Sequence, residues 1–160
     1  MKQISYAMQF NGQVTPVGTS ANVMKATTTG ISCTWTTIVE QAGFHSTLEP
    51  AAGGEATFES EVTFLGGFES SEVTSEGESG FKETGTITFG MGGHRLRFST
   101  IGQGYFGPSP EPNLKQGAVM WQVDGGEGQF DGARGVITSN FTVNEAGEVN
   151  DHHMGIIFIR

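Results

Sequence analysis

The sequence predicts an all-β protein: a single antiparallel closed β-barrel of about eight strands, with a sandwich of two β-sheets as the alternative. Apolar and polar residues alternate over many short stretches, the period-2 pattern of a strand with one buried face. Joints rich in glycine or containing Asn or Asp separate the stretches, and no helical pattern of ten or more residues interrupts them. Closure is expected because one sheet of that size exposes two edges unless it curls onto itself. Periodicity alone does not distinguish a barrel from a sandwich.

In the first stretch the large apolar positions are Ile4, Tyr6, Met8 and Phe10. Ile31, Cys33, Trp35 and Val39 continue the theme, with Ser and Thr between. The cleanest alternation runs from Ala56 to Phe64, placing Phe58, Val62 and Phe64 on one face and Glu59 and Glu61 on the other. Further strands are expected over 81–89, 94–101, 117–123, 136–143 and 149–159, with joints at Gly66-Gly67, Gly90 to Gly93 and Asn144 to Gly147. The segment from Gly104 to Leu114 carries three prolines in five residues, which stiffen the chain and oppose strand pairing. It is expected to cross a barrel end, either as a lid with Tyr105 and Phe106 pointing into a pocket or as a rigid connector whose aromatics plug the core.

At 160 residues the chain is read as one domain, 1–160. No apolar run approaches the ~20 residues that cross a bilayer, and the start lacks a stretch of signal-peptide length, so a soluble, cytoplasmic protein is expected. Cys33 is the single cysteine, which excludes an internal disulfide and a thiolate-rich metal cage. The formal charge of −9 is concentrated: from Glu40 to Glu83 there are ten glutamates and one lysine. Such a surface repels phosphate backbones and anionic lipid heads, so neither nucleic acid nor membrane is an expected partner.

Val123 to Gly135 contains Gly125-Gly126-Glu127-Gly128-Gln129-Phe130-Asp131-Gly132-Ala133-Arg134-Gly135. This resembles the Gly-Gly-Thr-Gly-x-Phe-x-x-Ala-Arg-Gly segment of dirigent proteins, with a looser counterpart in allene oxide cyclases; Glu127 stands in place of the Thr. The resemblance implies an eight-stranded barrel that guides a small hydrophobic molecule through cyclisation, coupling or isomerisation. A structural turn also accounts for the segment, with glycines allowing positive φ and close approach, Phe130 tucked into the core and Arg134 bridging to a carbonyl or carboxylate. A dinucleotide fingerprint does not fit, because the third glycine position falls on Asp131 and no helix follows.

The catalytic residues of those families lie outside the matched segment, so candidates come from strand parity. His94 shares the face of Leu96 and Phe98. Asp151 and His153 share the face of Val149, Ile157 and Ile159, about 6.5–7 Å apart along the strand. These three, with Tyr105, are the candidate acid/base groups. Tyr6, Trp35, His45, Phe98, Phe106 and Trp121 are the candidate substrate-binding residues, each equally readable as core or surface. No metal and no cofactor are expected: His152 and His153 point to opposite faces of a regular strand, and no close-spaced histidine motif is present.

Three functions remain open. One is a small-molecule enzyme, a cyclase, isomerase or cofactor-free lyase acting by general acid/base catalysis on a hydrophobic metabolite, aromatic ones included. The second is a non-catalytic barrel that binds such a molecule, and the third a module with a filled interior. A homodimer or homotrimer is expected from the outward parity of Met120, Met154, Ile156 and Phe158, a patch of interface character.

Overall fold

The computed structural model describes residues 1–20, 22–40, 43–65 and 79–160, with side chains described apart from those of 35–40, 43–48 and 50–54. Nine strands follow in order: β1 Lys2–Pro16, β2 Val23–Glu40, β3 Gly43–Phe64, β4 Ser79–Phe89, β5 His94–Thr100, β6 Gly104–Pro108, β7 Leu114–Glu127, β8 Arg134–Asn144 and β9 Glu148–Ile159. Every described pairing is antiparallel. The circuit β1-β2-β3-β4-β5-β7-β8-β9 returns to β1 and closes an eight-strand barrel, which sets the sandwich aside.

β6 occupies the same slot as β5. On β4, Thr84–Phe89 pair with β5 while Ser79–Phe81 pair with β6. On β7, Trp121–Glu127 face β5 and Lys115–Ala118 face β6. The two pieces are one barrel strand broken at residues 101–103. This corrects the expectation that the proline-rich segment as a whole stays unpaired. The break in regular structure falls at 109–113, because Pro108 is the terminal pair of β6, where a missing N–H is tolerated. The expected joint at 66–67 lies outside the described residues.

Parity delivers the side chains at alternate positions of the strands to the interior. Phe10, Phe58, Phe81, Ile87, Leu96, Phe98, Trp121, Ile137 and Ile157 are fully buried. Phe58, Phe98 and Trp121 stack in a block, with centroids 5.5 Å apart for Phe58 and Phe98 and 4.2 Å for Phe98 and Trp121. Each such side chain contributes roughly 1.5–3 kcal/mol by leaving water. Rings of this size fit because interior glycines lie against them: Gly30 against Phe10, Gly85 against Phe98, Gly104 against Phe81 and Gly117 against Phe141.

The segment from Gly125 to Gly135 closes one barrel end. Arg97 pairs with Gly125 and Phe98 with Val123, so Asp124 is the extra residue of a bulge. Gly126 then passes against the Arg95 carbonyl and leaves no room for a Cβ, and Gly128 adopts φ 64° as the chain enters a 3₁₀ turn over Gly128–Phe130. Phe130 packs under that turn, and Arg134 Nη1 donates to the Ala133 carbonyl at 2.8 Å.

Candidate functional site

Two polar clusters sit inside this apolar barrel. In the first, Ser139 Oγ donates to Asp151 Oδ1 at 2.7 Å, and His153 Nε2 lies 2.8 Å from Asp151 Oδ2. Tyr6 Oη lies 3.2 Å from His153 Nδ1. A carboxylate only accepts, so Nε2 carries the imidazole proton and donates it to Asp151, leaving Nδ1 to accept from the Tyr6 hydroxyl. The order is therefore tyrosine to histidine to aspartate to serine, the arrangement in which an oriented imidazole activates a hydroxyl. His153 is wrapped by aromatics, with Phe10 at 4.5 Å, Trp121 at 4.8 Å and Phe58 at 5.2 Å between centroids. Burial, with Asp151 adding to it, pushes the Tyr6 phenol well above the ordinary value of 10.0.

The second cluster centres on Glu83, 5 % exposed. Its Oε2 accepts from Trp121 Nε1 at 3.1 Å, and its Oε1 lies in hydrogen-bond contact with Ser60 Oγ at 2.5 Å. Burial pushes the carboxyl up to about 8; the Ser60 and Trp121 hydrogen bonds oppose the rise and the Asp151 charge reinforces it. Glu83 is thus a neutral acid at pH 7, sharing the interior with the Asp151 carboxylate.

The route inward from solvent is set by strand pairing. β1 pairs with β2 only from Met8↔Ser32 onward; before that, Lys2 to Ala7 pair with β9 while β2 from Cys33 continues with β3. The barrel is unzipped along this seam, and a cleft of about 590 Å³ fills it, lined by Ile4, Tyr6, Met8, Cys33, Phe89, Phe130 and Ile157 with Ser5, Ser32 and Gln129 among its polar members. Tyr6 therefore belongs both to the wall of the cleft and to the buried relay.

Of the sequence-derived candidates, the structure brings together Tyr6, Asp151 and His153. Phe98 and Trp121 are core residues and line none of the described hollows, because the centre of the barrel is packed by rings. His94 lies at the barrel end near the cleft but is exposed, where its Nδ1 accepts from the Gln129 backbone N–H at 3.1 Å. Tyr105 does not enter the interior: it pairs with Ala118, which faces outward, and side chains of paired residues share a face. Phe106, its neighbour, turns inward and packs on Phe64 and Phe141 at the opposite end from the cleft. The side chains of Trp35 and His45 lie outside the described residues. Glu83 was missed, although Phe81, Glu83, Ile87 and Phe89 share one parity that places it inward; the surrounding run of glutamates hid it. Among the described residues no three His, Cys, Asp or Glu side chains converge as a metal-binding group, and no helix is long and apolar enough to cross a membrane.

No family model and no curated protein matches the chain. Among solved structures, the chain is similar to a pterocarpan synthase dirigent protein, with a TM-score of 0.50 and 15% identity over 99% of this chain and 92% of that one. At that identity the likeness is one of fold, a closed antiparallel barrel of the dirigent kind.

Proposed function

We propose that the protein is a general acid/base catalyst acting on an apolar small molecule held in the seam cleft, of the cyclase, isomerase or cofactor-free lyase class. The observation that carries this reading is the double membership of Tyr6, cleft wall and head of the relay. As the Tyr6 oxygen takes a proton from an acidic C–H of the substrate, its own proton passes to His153 Nδ1. Asp151, held by Ser139, stabilises the imidazolium that forms. Return of the proton to a different carbon of the substrate, or loss of a leaving group, completes isomerisation, ring closure or elimination, and no redox equivalent is consumed. Tyr6 is the group that meets substrate; His153 and Asp151 act through it. The dirigent neighbour's description as a pterocarpan synthase is compatible with small-molecule chemistry on such a barrel.

A second reading, binding without chemistry, is favoured by the burial of Tyr6, which is only 8 % exposed with its hydroxyl turned inward. Solvent-deuterium incorporation into a panel of apolar enolisable ketones, followed by proton NMR, separates the two. Catalysis predicts incorporation that falls ~10²-fold in Tyr6→Phe while Nile red binding in the cleft is retained. Saturable Nile red binding with no incorporation into any ketone identifies a carrier.

The assembly proposed with it is a homodimer or homotrimer. Met120, Val136, Met154, Ile156 and Phe158 are all exposed. Register makes them neighbours on β7, β8 and β9: Val136 pairs with Ile156, Thr138 with both Met120 and Met154, and Arg134 with Phe158. A contiguous apolar patch on three adjacent strands, bordered by Arg134, is the kind of surface that a second copy covers.

A further inference from the structure

The outward position of Tyr105 opens a second site, on the far side of the barrel wall from the relay. Ala118, its partner on β7, is registered with Asn140 on β8, and Asn140 with His152 on β9. A methyl group flanked by a phenol ring and an amide leaves a hollow of about 420 Å³, whose rim adds Gln116, Thr142 and Asn150. Through Thr142 and Asn150 it runs into a second hollow of about 640 Å³ that continues over Asn11, Gln13 and Thr29. The backbone register lays these side chains in a row, Gln116 beside Thr142, Thr142 beside Asn150, Asn150 beside Asn11 and Asn11 beside Thr29, about 4.8 Å apart.

The chemistry of this groove is mainly uncharged amides and hydroxyls, with His152 on the first hollow and Glu148 on the second as its titratable side chains. In a chain with 17 acidic and 8 basic residues, no Asp, Glu, Lys or Arg lines the hollow at Ala118. The carboxylate at the far end, Glu148, accepts from Asn144 Nδ2 at 2.6 Å. Amides and hydroxyls both donate and accept, which suits a ligand carrying many hydroxyls, and a phenol ring offers an apolar face to the C–H side of such a ligand. A phosphorylated ligand finds no Lys or Arg in the lining of either hollow. An added peptide strand finds no open edge, since β6 is paired on both sides.

We propose that this outer groove binds a neutral oligosaccharide, with one sugar ring seated on Ala118 against Tyr105 and the following units running over Thr142 and Asn150. The site is independent of the seam cleft and of any reaction there.

Isothermal titration calorimetry of the purified protein tests it, with neutral oligosaccharides of glucose, mannose, galactose and xylose from two to six units and oligogalacturonate as the acidic arm. The expected result is saturable binding of at least one neutral series, with a Kd on the order of 1 mM for the shortest and tightening with length. Tyr105→Ala should weaken it about tenfold. Ala118→Gln, which fills the hollow from an exposed position, should abolish it, with both variants still folded by far-UV circular dichroism and Tyr6→Phe without effect. Silence in every neutral series overturns the proposal. So does binding of the acidic arm alone, or neutral binding that both groove variants leave intact.

Discussion

Replacing Glu83 by Gln should change how the stability of the barrel depends on pH more than it changes the barrel itself. The amide is nearly isosteric, and with its oxygen toward Trp121 Nε1 and its NH₂ toward Ser60 Oγ it keeps both contacts of the carboxyl. The carboxyl in the folded chain titrates at about 8, against 4.5 for the ordinary value that the unfolded chain retains. Between those values the folded state holds a proton that the unfolded state has lost, so the stability this group supplies is complete below pH 4.5 and declines as pH rises toward 8. Each pH unit in the window removes about 1.4 kcal/mol. The loss amounts to about 3 kcal/mol by pH 7 and about 5 kcal/mol across the window, a large share of the total stability of an ordinary domain. Urea unfolding of wild type and Glu83→Gln at pH 5, 6, 7 and 8 reads the difference directly, because every other titrating group is common to both. The variant should gain about 4 kcal/mol relative to wild type between pH 5 and pH 8. Parallel curves would falsify the assignment of Glu83 as a neutral buried acid.

Three further outcomes are expected. In a Tyr105→Phe background, where Tyr6 is the remaining tyrosine, alkaline absorbance titration should show no phenolate at pH 10; the signal should appear well above it, and stability should fall only as pH rises past the ordinary value. Phe58→Ala, which removes a ring touching Phe10, Phe98, Trp121 and His153, should cost about 3–5 kcal/mol in chemical denaturation. Ile156→Glu on the outer face should yield a monomer by light scattering from a wild-type oligomer without lowering Tm; a monomeric wild type sinks the assembly.

Much of the barrel was legible because its strands obey strict alternation. The inward parity of Tyr6, Asp151 and His153 follows from their apolar neighbours, and that parity brought them within one relay. The distance between strands was not legible: nothing local in Ile4 to Phe10 says that this strand lies beside Val149 to Ile159, 147 residues separating Tyr6 from His153. Tyr105 was misplaced for a related reason. Three prolines argued for an unpaired loop, and without a pairing partner a residue has no defined face; once Tyr105 pairs with Ala118 its outward direction is forced. Glu83 shows the opposite failure, where parity pointed inward and charge pointed outward. Burial won, because Ser60 and Trp121 take the carboxyl's hydrogen bonds and its proton neutralises it.

The seam between β1 and β2 bears on speed as well as on binding. A closed barrel normally admits a molecule through its wall only by breaking backbone hydrogen bonds between two strands, a rare opening on the scale of local unfolding. Along Lys2 to Ala7 that ladder is already absent on the β2 side among the described residues, so an opening there breaks no described backbone pair between β1 and β2. A molecule entering the cleft there would meet the side chains that line it, Tyr6 among them, with the pairings of the eight-strand circuit left intact below.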